Sequence, residues 1–151
     1  MIYILIALTI FTLYLWDFYR VYGLPPSISE TFYIETKYKF SLTLIACAFL
    51  LLAGMLKLEQ AWYMKTLAFV SCASLGFVGA IPFFKIDTKA HTIGAVIFML
   101  TFVTWAALHS SWWVILGFLA CPLGDSSRRV FWIEIFCIVI FIISLIWGLF
   151  I

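Results

Sequence analysis

The chain has 151 residues, of which 66% are hydrophobic, 20% aromatic and only 11% charged, and its formal net charge is +2. Its mean hydropathy of +1.18 excludes a water-soluble globular domain and predicts an integral membrane protein with no nucleic-acid partner. Because about 20 helical residues cross a hydrocarbon core about 30 Å thick, this length allows five or six crossings and no additional soluble domain.

Six apolar segments, separated by charged and turn-forming residues, predict the membrane spans. Backbone groups in lipid must be hydrogen-bonded within their own segment, and no barrel-like alternation is present. The predicted fold class is therefore all-α, a single bundle of six transmembrane helices. The fifth segment, with 13 residues, would rise only about 20 Å, so five spans plus a re-entrant segment is the alternative. The segments are residues 1–22, 40–56, 61–84, 91–108, 111–123 and 130–151.

Charged residues are distributed unequally between the two ends of this six-span arrangement. Seven of the nine basic residues fall in or beside loops one, three and five, whereas Lys57 and Lys65 fall on the other side. The excess of basic residues predicts cytoplasmic loops one, three and five, with both termini outside. Six of the seven acidic residues share that side, and Glu59 does not. We call the membrane face shared by residues 17–39, 85–91 and 125–134 the charged face.

The longest polar interruption of the chain, residues 23–39, follows the first span. Pro25 and Pro26 end the first helix. Ser27 followed three residues later by Glu30 fits a capping box, which predicts a short helix over residues 31–34. This cap explains the loop structurally, and the same hydroxyl and carboxylate groups are also suited to a binding site.

Two carboxylates are expected inside the edge of their spans at the charged face. Asp17 lies three residues before Arg20, and Glu134 lies five residues after Arg129. A carboxylate at that depth requires a partner, a proton or access to water. One expectation is that each carboxylate pairs with a neighbouring arginine, Asp17 with Arg20 and Glu134 with Arg129 or Arg128. The alternative is that both carboxylates belong to a shared polar site.

His91 begins the fourth span at the charged face. An imidazole is neutral or charged near neutral pH, so His91 is a candidate acid, base or headgroup contact. His109 follows it by 18 residues, about 27 Å along a helix, which excludes a two-histidine metal site. The cysteines lie within apolar runs without CxxC spacing, so buried thiols and neither metal nor cofactor are expected. They are Cys47, Cys72, Cys121 and Cys137.

The third span contains small residues at helical spacing. Cys72, Gly76 and Ala80 recur every four residues, with Ser74 and Gly79 between them. Such a stripe predicts close helix packing, and a substrate groove is the alternative.

Aromatic residues near both ends of the spans are predicted to be interfacial anchors. They are Tyr14, Trp16, Tyr19, Tyr22 and Trp132 at the charged face, and Trp62, Trp112, Trp113 and Trp147 at the opposite face.

Three short motifs occur in a recognisable order. Residues 26–31 read Pro-Ser-Ile-Ser-Glu-Thr, residues 75–80 read Leu-Gly-Phe-Val-Gly-Ala, and residues 91–95 read His-Thr-Ile-Gly-Ala, followed by Phe98. This order resembles the family of the damage-regulated autophagy modulators (DRAM) and the Frag and Sfk membrane proteins, along the whole chain at the level of span order. Two features characterise that family. One is a loop that contains a proline and the sequence Ile-Ser-Asp-Thr, and the other is a span that contains a histidine and the pair Gly-Ala.

The resemblance implies a six-span bundle that acts on lipids, through remodelling of lipid-anchored proteins, phosphoinositide balance or membrane traffic. It implies cytoplasmic termini for the eukaryotic members, opposite to the orientation predicted from charge. Glu30 replaces the aspartate of the family, and Phe32 replaces the glycine that usually follows the threonine. The matching positions are Ile28, Ser29, Glu30, Thr31, His91, Gly94 and Ala95.

The predicted function is a polar pocket at the charged face that binds a lipid headgroup or a partner protein, with a role in lipid homeostasis or remodelling. The expected partners are membrane lipid and a membrane protein or second copy of the chain. Nearby Lys37, Lys85 and Lys89 would neutralise a phosphate. The predicted site residues are Asp17, Ser27, Ser29, Glu30, Thr31, His91 and Glu134.

The alternative function is an intramembrane hydrolase or acyl transferase. Ser27 or Ser29 would be the nucleophile, His91 the base, and Glu30, Asp17 or Glu134 the group that orients it. No nucleophile-elbow spacing accompanies these residues.

Overall fold

The computed structural model describes residues 1–28, 31–34, 37–84, 88–109 and 129–147, and its regular structure there is entirely α-helical. The predicted all-α fold class is confirmed. The helices are α1 (Ile2–Tyr22), α2 (Thr31–Ile34), α3 (Lys37–Leu58), α4 (Trp62–Phe84), α5 (Thr88–His109) and α6 (Arg129–Trp147).

Four of these helices, α1, α3, α4 and α5, are long and apolar enough to cross a membrane. They coincide within a few residues with the first four predicted spans. Helix α6 corresponds to the predicted span over residues 130–151, and its described apolar part is the shorter Phe131–Ser144. The predicted fifth span, residues 111–123, lies outside the described residues. The chain is thus compatible with an integral membrane protein.

Helices that follow one another in the chain pack side by side, α1 on α3, α3 on α4 and α4 on α5, and α6 packs on α5. Helix α1 buries Ile4, Ala7, Tyr14 and Phe18, positions that share one helical face. It ends at Gly23, whose φ of 80° is a left-handed conformation that glycine adopts without steric cost. The Gly23 N–H donates to the Tyr19 carbonyl oxygen at 3.0 Å.

The small-residue stripe of α4 packs against α3. A Cβ atom at Gly76 would lie 3.7 Å from Ala48, and one at Gly79 only 2.9 Å from the Cβ of Leu44. Near the other end of the same interface, Cys72 Sγ lies 3.8 Å from Met55 Sδ. The predicted use of this stripe in close helix packing is confirmed.

Contacts between residues at the helix ends show which ends of the helices lie close together. At the charged face, Lys39 of α3 pairs with Asp17 of α1 at 3.2 Å, and the Phe131 N–H of α6 donates to the Pro26 carbonyl oxygen at 3.2 Å. At the opposite face, His109 of α5 pairs with Glu59, which follows α3. Helix α5 therefore ends at the opposite face, and α6 begins at the charged face.

Candidate functional site

Two reciprocal hydrogen bonds join the first loop to the start of α6. Phe131 N–H donates to the carbonyl oxygen of Pro26 at 3.2 Å, which satisfies one of the first-turn N–H groups that have no partner within a helix. In return, the backbone N–H of Ile28 donates to Glu134 Oε2 at 2.6 Å. A carboxylate acceptor makes such a bond stronger than one between neutral groups. The loop and α6 thus hold each other in place.

A chain of buried hydrogen bonds continues from this loop to α1. The Tyr14 hydroxyl donates to Thr31 Oγ1 at 2.7 Å, and Thr31 Oγ1 donates to the Ile28 carbonyl oxygen at 2.6 Å. Thr31 is fully buried and Tyr14 is only 8% exposed. The prediction that Tyr14 is an interfacial anchor is therefore wrong. The sequence did contain an indication of this burial, because helical spacing places Tyr14 on the same face of α1 as Ala7 and Phe18.

A cavity of about 130 Å³ lies beneath this network, between α1, α3, α5 and α6, with a smaller contribution from α4. Among the described residues that line it, Glu134 is the single charged side chain, and Ile28 represents the loop. The remaining lining residues are Ala7, Leu8, Phe11, Phe40, Leu44, Cys47, Leu51, Leu75, Ala95, Phe98, Met99, Phe102, Cys137, Ile138 and Phe141.

The structure brings only part of the predicted site together. Ser27 and Thr31 are buried, and Glu134 is connected to their loop through Ile28. Asp17 instead forms an exposed pair with Lys39, with 60% and 55% of the two side chains accessible. Its partner thus comes from α3, whereas the sequence pointed to Arg20. The predicted site residues Ser29 and Glu30 lie outside the described residues.

His91 lies one helical turn before the cavity-lining residue Ala95. Its Nε2 atom is buried and has no hydrogen-bond partner within the described part of the chain, so no bond to Ser27 is formed there. Gly94, which belongs to the same sequence motif, is explained by helix packing. A Cβ atom at Gly94 would lie 3.1 Å from side-chain atoms of both Phe77 and Val78, and glycine therefore allows α5 to approach α4.

The described cysteines, Cys47, Cys72 and Cys137, are buried, as expected for structural thiols. Cys47 Sγ donates a weak hydrogen bond to the Ala7 carbonyl oxygen at 3.4 Å, which joins α3 to α1. Cys121 lies outside the described residues. Within the described ranges, no three His, Cys, Asp or Glu side chains are arranged to hold a metal ion.

The sequence did not reveal a second polar cluster, at the opposite face. His109 Nδ1 pairs closely with Glu59 Oε1, and the two side chains are only 16% and 13% exposed. The His109 ring stacks on Trp105, with ring centroids 4.8 Å apart and planes 10° apart. Fifty positions separate the paired residues, so no local pattern could indicate this contact.

The cavity under the charged face combines a long apolar wall with one carboxylate at its polar end. Ligand pockets commonly have this composition, with an apolar lining and a few polar groups that orient the ligand. An amphiphile, which has an apolar and a polar part, matches both regions. Comparisons of the chain with protein-family models, curated proteins and solved structures found no match.

Proposed function

We propose that this chain is a multi-span membrane protein that binds a lipid at its charged face. The apolar part of the lipid occupies the cavity, and its polar head lies beneath the loop that contains Ser27 and Thr31. One observation carries this proposal: the described lining of the cavity is apolar except for Glu134 at the end next to the loop. A membrane lipid is also the amphiphile most available to such a site.

The resemblance to the DRAM, Frag and Sfk family supports a role in lipid homeostasis or remodelling. Of the positions that carry this resemblance, Ile28 and Ala95 line the cavity, and Thr31 bonds the loop to Tyr14. Ser29, Glu30 and His91 stay predicted headgroup contacts. Because of this resemblance, the ligand we propose is a bound lipid rather than a soluble metabolite.

Substitution of Ala95 by leucine is expected to reduce the lipid that copurifies with the protein. The larger side chain would occupy part of the cavity, and a steric penalty against the lipid of about 1–3 kcal/mol corresponds to roughly five- to a hundredfold weaker affinity. The measurement is bound lipid per protein by native mass spectrometry after gentle detergent extraction. The matched control is Val96→Leu, because Val96 is the next residue of α5 and is exposed. Equal lipid in the two variants would contradict the proposal.

We further propose that the bundle has six spans. Helix α5 ends beside Glu59 at the opposite face, and α6 begins beside Pro26 at the charged face. Residues 110–128 join these two ends, and one crossing satisfies this connection. The excess of basic residues at the charged face supports a cytoplasmic location for that face.

Reporters attached at residue 1 and residue 151 are therefore expected to lie on the same side of the membrane, outside the cell. The measurement is labelling of a terminal cysteine tag by a membrane-impermeant maleimide in intact cells, with labelling after lysis as the control. Termini on opposite sides would support five spans with a re-entrant segment. Both termini inside would reverse the orientation but retain the six spans.

A further inference from the structure

We infer that the cavity is closed toward the opposite face, and that Phe102 and Phe141 determine how deeply the chain of a bound lipid can enter. The inference rests on the proposed function, and it assigns the ligand to lipids of the leaflet at the charged face, with a chain that ends within the bundle. Three observations carry it: the direction of the cavity, the burial of the residues beyond its inner end, and the ring contacts at that end.

The cavity runs along the helices, away from the charged face. Helix α5 begins at that face, and its lining residues extend from Ala95 to Phe102, seven residues or about 10 Å further along. Helix α6 begins at the same face and lines the cavity from Glu134 to Phe141. A chain that follows the cavity from the charged face therefore points its end at Phe102 and Phe141.

A fully buried layer lies beyond this inner end. It contains one residue from each of four lining helices, and each residue lies one helical turn closer to the opposite face than a residue that lines the cavity. We call it the sealing layer, and its members are Ile4 of α1, Met55 of α3, Trp105 of α5 and Ser144 of α6, each at most 1% exposed. Among the described residues, this layer separates the cavity from the opposite face.

Close contacts hold the helices together at this level. A Cβ atom at Gly54 of α3 would overlap with the side chain of Ile4, so α1 and α3 meet directly there. Trp105 packs on Phe141, with ring centroids 5.9 Å apart, and Phe141 packs on Phe102, with centroids 4.2 Å apart. Protein interiors are close-packed, so an alkyl chain can pass this level only if these groups move apart.

The open part of the cavity lies on the charged-face side of the sealing layer. Lining residues there are partly exposed, among them Phe11 of α1, Phe98 of α5 and Ile138 of α6. A lipid that enters through this part still meets the closed inner end. The depth that the end of its chain can reach is therefore the property that the inner end limits.

The test uses three alcohol probes with octyl, dodecyl and hexadecyl chains, each with a photoreactive diazirine at the end of the chain. The protein is reconstituted in phosphatidylcholine vesicles and irradiated, and labelled residues are identified by peptide mass spectrometry. We expect the labelled positions to move toward Phe102 and Phe141 as the chain lengthens, and to advance no further with the hexadecyl probe. Labelling of Trp105 should not exceed the background of samples that were not irradiated.

The variant Phe102→Ala removes one of the two rings at the inner end. It is expected to raise labelling of Trp105 by the hexadecyl probe about five- to a hundredfold, as for relief of the steric penalty against overpacking. Phe98→Ala is the matched control, because Phe98 is the same residue type on the same helix and lines the cavity one turn before the inner end. This control should not extend labelling to Trp105.

The outcomes separate the inference from the function on which it rests. Labelling of Trp105 by the hexadecyl probe in the unchanged protein would overturn the inference and leave lipid binding intact. Equal labelling of Trp105 in Phe102→Ala and Phe98→Ala would overturn it as well. No cavity labelling by any probe would overturn both the inference and the proposed function. If Phe102→Ala does not fold, Phe102→Leu, which also removes the ring, takes its place with the same expected direction.

Discussion

Replacement of Glu59 by alanine is expected to lower the free energy of unfolding by about 2 kcal/mol. The change leaves His109 without its partner while the imidazole remains stacked on the fully buried Trp105. Loss of one partner from a fully buried ion pair costs about 3–5 kcal/mol. The partial exposure of Glu59 and His109 admits water, which reduces this cost. The loss arises because the pair ties the turn after α3 to the end of α5.

The measurement is unfolding in mixed detergent micelles, followed by circular dichroism. Gln60→Ala is the matched control, because Gln60 is the adjacent residue and is exposed; it should change stability by less than about 0.5 kcal/mol. A double-mutant cycle of Glu59→Ala with His109→Ala isolates the coupling between the two side chains. A coupling energy near zero would show that the observed contact contributes nothing to stability.

Substitution of Gly79 by alanine is expected to destabilise the bundle by about 2 kcal/mol. The added Cβ would lie 2.9 Å from the Cβ of Leu44 and 3.3 Å from the carbonyl oxygen of Ser41. Both contacts are with atoms at or next to the α3 backbone, so α3 and α4 must separate. Overpacking of this kind typically costs about 1–3 kcal/mol.

Gly76→Ala provides a control on the same helix face, for which no destabilisation is expected. Its Cβ would make an ordinary contact of 3.7 Å with Ala48, and alanine favours a helix over glycine by up to about 1 kcal/mol. Gly76→Ala should therefore be neutral or stabilising in the same micelle assay. If both variants lost equal stability, close approach at Gly79 would not be the cause.

The helical architecture could be predicted from hydropathy, because the thickness of a bilayer sets the length of each apolar segment. The short helix Thr31–Ile34 was also predicted correctly, from the prolines and polar residues before it. Both features depend on residues that are near one another in the chain. The position of Glu134 in the second turn of α6 was likewise apparent, because its distance from Arg129 along a helix is a local quantity.

The hydrogen-bond and ion-pair partners of the polar groups could not be predicted from residues nearby in the chain. Asp17 was expected either to pair with Arg20, one turn away, or to belong to the polar site, but α3 places Lys39 beside it. Tyr14 was assigned to the membrane interface because aromatic residues concentrate there, but packing directs its hydroxyl to Thr31. In both cases the partner of the side chain was determined by a contact between helices, which neither sequence neighbours nor average residue preferences indicate.

By itself, the sequence determined that this protein is helical and compatible with a membrane, and approximately where the described helices begin and end. The tertiary structure alone decided that the first loop bonds to Glu134, 106 positions away, and that a cavity lies beneath this contact. The physical reason is that transfer into lipid depends on local composition. Which helix faces meet depends on side-chain packing and interhelical hydrogen bonds, because lipid and protein interiors are similarly apolar.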